Sequence, residues 1–124
     1  MVCILCIDDN RDVLKSLAEV LRASGYSTLI ALSGNQGLSL LVRNSVDLVV
    51  LDYEMPGMNG DLAAQAIRRS KPEVPIILFT GMPDDIPGSV RQNVNAVVSK
   101  VDFGGLLAVV GELTKKSPGK PEAT

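Results

Sequence analysis

The 124-residue chain contains no histidine and no tryptophan, and only two phenylalanines, two tyrosines and two cysteines. Without histidine there is no imidazole general base, no Ser-His-Asp or Cys-His nucleophile system and no imidazole zinc site. Any chemistry has to be done by carboxylates, hydroxyls or lysines. The chain also lacks a surplus of positive charge, with 12 basic against 14 acidic side chains and a formal net charge of −2. Together with an aromatic content of 3%, this excludes a basic stripe or a set of stacking rings for direct nucleic-acid binding. No apolar run reaches the roughly 18 residues of a membrane span, and no basic leader with a small-residue cleavage site precedes the first apolar segment, so the expected location is the cytoplasm, away from membranes.

What is present is apolar and periodic. Hydrophobic residues make up 46% of the chain and mean hydropathy is +0.24, enough for one core in a single domain of this size. Val2 to Ile7 is a continuous apolar run that stops at Asp8-Asp9-Asn10, as expected for a strand buried on both faces. Val13, Leu14, Leu17, Val20 and Leu21 follow at helical spacing, closed by Gly25. Tyr26 to Leu32 reads as a second strand, Gly34 and Asn35 as punctuation, and Leu38, Leu41 and Val42 as a helical stripe. A third strand, Leu48 to Leu51, ends at Asp52. The loop from Tyr53 to Gly60 then leads to a helix over about Asp61 to Ser70.

The fourth strand, Ile76 to Phe79, ends at Thr80, and the fifth, Asn95 to Val98, ends near Ser99-Lys100. Pro83, Pro87 and Gly88 leave only about Ser89 to Asn93 free to wind between them, which predicts a short or mobile helix. Phe103, Leu106, Leu107, Val110 and Leu113 share one face of a last helix, with Asp102 as its cap. Strands alternating with helices predict an α/β fold, a doubly wound (βα)5 flavodoxin-like sandwich with a parallel five-stranded sheet in the order 2-1-3-4-5. Residues 1–116 form the expected domain, and residues 117–124, rich in Pro, Gly and Lys, a disordered tail or the start of a linker. The protein is then either a stand-alone regulator or the first part of a longer one.

Polar residues fall at the carboxyl ends of the strands: Asp8 and Asp9 after the first, Asp52 after the third, Thr80 after the fourth, Lys100 after the fifth. In an open α/β sheet that edge binds ligands, and strands one and three flank its switch point. A lone Asp or Thr at a strand end is more often a cap or turn former than a catalyst, but here four strand ends carry the required types together. Three converging carboxylates repel one another unless a cation neutralises them, and an oxygen-only donor set favours Mg2+. With the metal in place, Asp52 is the candidate nucleophile toward a phosphoryl group, which the Thr80 hydroxyl and the Lys100 ammonium would contact.

Over nearly the whole chain to about Leu113, these residues resemble the receiver domain of two-component response regulators. The resemblance is carried by Asp8-Asp9, the segment Asp52-Tyr53-Glu54-Met55-Pro56-Gly57-Met58-Asn59-Gly60, Thr80 and Lys100. It implies that Asp52 accepts a phosphoryl group from a phosphohistidine on a sensor histidine kinase or phosphotransfer protein. It also implies Mg2+ held by Asp9, Asp52 and the backbone carbonyl of Glu54, with Asp8 assisting through water, and a conformational signal to a downstream protein target rather than turnover. Two positions depart from the family pattern. Val101 replaces the proline that usually follows the lysine, and Val97 replaces the aromatic residue three places before it. These departures motivate an alternative, a phosphorylation-independent binding module that keeps the fold without the switch.

Other patterns are weaker. Cys3 and Cys6 have redox spacing, yet residues three apart in a strand face opposite ways, so core packing is expected. Asp102-Phe103-Gly104 spells a kinase motif with none of the kinase's other parts. The calcium-loop spacing of Asp8, Asn10, Asp12 and Glu19 fails because Val13 stands at the obligatory glycine. A phosphatase using Asp52 would want an aspartate where Glu54 stands, and a flavin carrier would want a phosphate cradle where Asp8-Asp9 stand. Met55 and Met58 are expected to anchor the loop.

Overall fold

Each of the five apolar runs forms a strand, and the strands differ in how far they are enclosed. The computed structural model describes residues 1–55 and 57–115. Strands β1 (Cys3–Ile7), β2 (Ser27–Ala31), β3 (Leu48–Leu51), β4 (Ile76–Thr80) and β5 (Ala96–Ser99) form one parallel sheet in the order β2-β1-β3-β4-β5. Between and after them run helices α1 (Arg11–Ala23), α2 (Gly34–Arg43), α3 (Gly60–Ser70), α4 (Gly88–Arg91) and α5 (Phe103–Lys115), with a 3-10 turn at Pro83–Asp85. This is the doubly wound flavodoxin-like fold that the sequence predicts. Pro56 and the segment 116–124 lie outside the described residues, and with them the expectation for the tail.

The continuous apolar runs follow from the two-sided sheet. Leu5, Ile7, Val49, Leu51, Ile76 and Leu78 point into one core with Leu41 of α2 and Ala63, Ala64 and Ile67 of α3. Their neighbours Ile4, Cys6, Leu48, Val50, Ile77 and Phe79 point into a second core with Leu14, Leu17 and Leu21 of α1 and Leu106 and Val110 of α5. Alternate residues face opposite layers, so every position of a central strand must be apolar. The Phe79 and Phe103 rings meet edge to face at 5.5 Å, fastening the start of α5 to β4.

Local signals set the helix ends. The Asn10 side chain accepts from the amides of Asp12 and Val13, and that of Asn59 from Leu62 N–H. Asp102 accepts from Gly105 N–H at 2.8 Å, the cap expected of it. After α1, Gly25 sits at φ +96° while its N–H and that of Tyr26 bond back to Arg22 and Leu21, a Schellman closure that requires the left-handed glycine.

Several boundaries differ from the sequence reading: β1 starts one residue later, β2 is one residue shorter at each end, β4 runs on to Thr80, β5 is shifted one residue along the chain, and three helices begin elsewhere than expected. Gly34 and Asn35 belong to the first turn of α2, because Ser33 caps it by accepting from Gln36 N–H while the Gln36 side chain reaches back to Leu32 N–H. Helix α3 starts at Gly60, one residue early. Helix α4 is a single turn beginning at Gly88, since the Pro87 carbonyl already accepts from Val90 and Arg91. Cys3 and Cys6 are both free thiols. Cys6 is buried in the α1–α5 core, and burial pushes its thiol up to about 12, so it packs rather than reacts. Among the described residues no helix is long and apolar enough to cross a membrane.

Candidate functional site

The carboxyl ends of β1 and β3 are tied together before any side chain is considered. Asp52 N–H donates to the Ile7 carbonyl at 2.9 Å and Asp8 N–H to the Ala31 carbonyl at 3.1 Å, so both aspartates leave the sheet at the same level. Asp8 is 3% exposed and Asp52 4%, whereas Asp9 is exposed. One carboxylate oxygen from each of Asp8, Asp9 and Asp52 lies within 4.8 Å of the others. The three carboxylates therefore converge as the spacing predicted.

Lys100 enters this cluster from the end of β5. Its Nζ is 2.9 Å from Asp8 Oδ2 and 3.1 Å from Asp52 Oδ1. Its backbone N–H donates to the Thr80 carbonyl at 2.9 Å, which holds the ends of β4 and β5 together. Thr80 is buried, and its Oγ1 accepts from Met82 N–H at 3.2 Å, leaving the hydroxyl proton to donate elsewhere. Glu54 N–H donates to Asp52 Oδ1 at 3.3 Å while its side chain is exposed. Asn10 N–H steadies Asp8 through Oδ1 at 2.9 Å.

The electrostatics follow from three carboxylates facing one ammonium. Burial, reinforced by the charge of Asp8, raises the Asp52 carboxyl to about 6 against the pull of Lys100 and the Glu54 amide. For Lys100, burial acts to lower the pKa, but the hydrogen bonds and charges of Asp8 and Asp52 outweigh it and the net shift is upward. The lysine is thus the internal counterion of the cluster, an arrangement the sequence did not reveal, since strand-end placement says nothing of which polar group a flexible four-carbon stem selects. With all groups ionised, the cluster retains two uncompensated negative charges. Its donors are hard oxygens only, which fits a small divalent cation of the Mg2+ type and not a thiophilic metal.

The loop after Asp52 is pinned from both sides. Met55 is buried in the α2–α3 core and Met58 packs against that core, the anchoring expected of them. Gly60 N–H donates to the Tyr53 carbonyl at 2.6 Å. On the far side, Val97 is half-buried against the α2–α3 core, Val101 is 89% exposed, and no described peptide bond is cis.

Residues 4–110 match the response regulator receiver domain family. The transcriptional regulatory protein GlrR of Escherichia coli strain K12 is 33% identical over 117 residues, covering 92% of this chain but only 26% of that protein. The chain thus spans about a quarter of the length of this relative. Among solved structures, the response regulator TrrA of Thermotoga maritima in complex with Mg2+-BeF is 32% identical with a TM-score of 0.83, covering 91% of this chain and 99% of that one. TrrA in complex with the histidine kinase ThkA superposes with a TM-score of 0.85 at 32% identity, covering 91% and 98% of the two chains. The chain belongs to the response regulator receiver domain family of two-component signalling.

Proposed function

We propose that this receiver takes a phosphoryl group onto Asp52 from a phosphohistidine of a sensor histidine kinase or phosphotransfer protein. A carboxylate oxygen of Asp52 forms the new O–P bond as the P–N bond breaks, and the bonding electron pair leaves with the donor's imidazole nitrogen. Asp9, Asp52 and the Glu54 backbone carbonyl, with Asp8 through water, would hold Mg2+, which would supply positive charge to offset the carboxylates and the phosphoryl oxygens. Lys100 already touches Asp52 Oδ1, so its ammonium stands beside the incoming phosphoryl group and can move its hydrogen bond onto a phosphoryl oxygen. The Thr80 hydroxyl proton donates to another. The outcome is a conformational signal rather than turnover of a substrate pool, in a cytoplasmic protein whose downstream target is another protein.

The observation that carries this reading is the meeting of three carboxylates within 4.8 Å with Lys100 on two of them. The longer relative is named a transcriptional regulatory protein. A segment with net charge −2 and few aromatics suits the phosphorylated input of such a protein better than its DNA-reading part. The test is intact mass after incubation with a small phosphodonor and Mg2+, for the wild type and Asp52→Asn, with an EDTA control. One phosphoryl adduct that needs both Mg2+ and Asp52 is expected. No adduct from any donor would favour the phosphorylation-independent binding module, a reading that the aliphatic Val97 keeps open.

A further inference from the structure

Most crowded glycines of this fold face side chains. A Cβ added at Gly34 would meet the Met58 sulfur, at Gly37 the tip of Ile7, and at Gly105 the Asp102 carboxylate, all groups that can rotate away. Gly60 is different. A Cβ there would lie 2.5 Å from Tyr53 Cα, 2.9 Å from the Asp52 carbonyl oxygen and 3.0 Å from the Tyr53 carbonyl oxygen, three backbone atoms with no freedom to turn aside. The same residue donates its N–H to the Tyr53 carbonyl at 2.6 Å. The first residue of α3 therefore rests directly on the peptide that leaves Asp52, and α3 is in turn fixed to the core through Ala63, Ala64 and Ile67.

We propose that Gly60 is a positioning residue for the metal site: by close approach and one hydrogen bond it fixes the backbone from Asp52 to Glu54, and so sets where the Glu54 carbonyl stands relative to the Asp9 and Asp52 carboxylates. This rests on the reading of the acidic cluster as a Mg2+ site. A side chain at position 60 forces either α3 or the Asp52–Tyr53 peptide to move. The helix has a buried face to lose, so the strain falls on the Asp52–Tyr53 peptide, which leads into the half-buried Tyr53 and the exposed Glu54. Displacing a group that supports a metal ligand lowers metal affinity by about 10-fold or more, while the fold survives.

The experiment measures Mg2+ affinity by calorimetry and by amide chemical shifts for the wild type, Gly60→Ala and Ile67→Val, each with its unfolding midpoint. Ile67→Val loosens α3 from its buried side without touching the loop. Supporting results are an affinity loss of about 10-fold for Gly60→Ala with the affinity of Ile67→Val near wild type. An unchanged affinity in a folded Gly60→Ala overturns the proposal, as does an equal loss in both variants, which would trace the effect to stability alone. Should Gly60→Ala not fold, the wild-type spectrum decides: a Gly60 amide that shifts in step with Asp52 and Glu54 as Mg2+ is added supports the coupling, and a static Gly60 amide overturns it. A wild type that binds no Mg2+ would instead overturn the metal-site reading itself, a result distinct from all the others.

Discussion

The two sides of the sheet's carboxyl edge are built to different standards. Around β1 and β3, the backbone of Asp8 and Asp52 is tied to neighbouring strands, the carboxylates are buried, and Lys100 closes the cluster with contacts of 2.9 and 3.1 Å. Beyond β4, the chain makes a 3-10 turn and one turn of helix without a side-chain cap on either, held to the core by Ile86 and Val90. Met82 and Val101, flanking Thr80 and Lys100 along the chain, are apolar yet exposed. Phosphoryl transfer depends on positioning, so the acidic side is over-determined. A surface that changes on signalling has to come from the low-stability end of the structure, and the β4–β5 side has few buried contacts to lose.

The comparison is broken most severely by removing Lys100. In the metal-free protein, Lys100→Met leaves Asp8 and Asp52 buried without their cation, and we expect a loss of about 2 kcal/mol, below the figure for a fully buried pair because the ammonium is still in contact with water. Saturating Mg2+ should recover most of that loss, since the metal supplies the missing positive charge. Thermal unfolding with and without Mg2+ tests this, and a loss that Mg2+ leaves untouched would mean that Lys100 acts by packing rather than charge. Next in size is the metal-free pH response. Asp52 titrates at about 6 in the fold, above the ordinary carboxylate range, so the native state holds its proton more tightly than the unfolded chain. Its contribution is present at low pH and is lost as pH rises toward and through 6, a sign opposite to that of a salt-bridged carboxylate. Denaturant midpoints in EDTA against Asp52→Asn should show that slope vanish in the variant.

The other side is probed through Val90, 2% exposed beneath α4. Val90→Ala should cost about 1–2 kcal/mol, with faster amide exchange confined to the segment from Met82 to Asn93. Mg2+ affinity should be unchanged, because among the described residues the hydrogen bonds and ion pairs of the acidic cluster's carboxylates involve Asn10, Glu54 and Lys100 and none of α4. A fall in Mg2+ affinity would show that the two sides are one cooperative unit.

How much of this was legible in the sequence follows the same division. Central strands buried on both faces leave an unbroken apolar signature, so the bounds of Leu48–Leu51 are legible to the residue and the polar residues that end the strands stand out by contrast. The start of α2 is obscured because Gly34 and Asn35 look like a turn, although Ser33 and Gln36, three apart, carry a helix-start signal that outweighs them. Contacts between residues distant in sequence left no such trace. The Arg68 side chain bonds to the carbonyls of Asn93, Pro72 and Val74, joining the end of α3 to the approaches of β4 and β5, and nothing in its local sequence announces it. The backbone contact under Gly60 is of the same kind, visible only once α3 is laid against the loop.

The smallest expected effect belongs to Val101, the position where the family's proline is replaced. Its side chain is 89% exposed, and its amide has only a long contact of 3.4 Å to Ser99 Oγ. Val101→Ser should change stability by less than about 0.5 kcal/mol, as for a surface site away from any cap, core or charge network. Mg2+ affinity and the yield of phosphoryl adduct from a small donor should also match the wild type, because Lys100 is positioned by its own backbone bond to Thr80 and not by its successor. A single exposed apolar side chain is ordinary on a protein surface, so transfer from a phosphohistidine protein should match the wild type as well. Equal slowing with both donors would place Val101 in support of Lys100 after all, and would join the exposed side of the edge to the buried one.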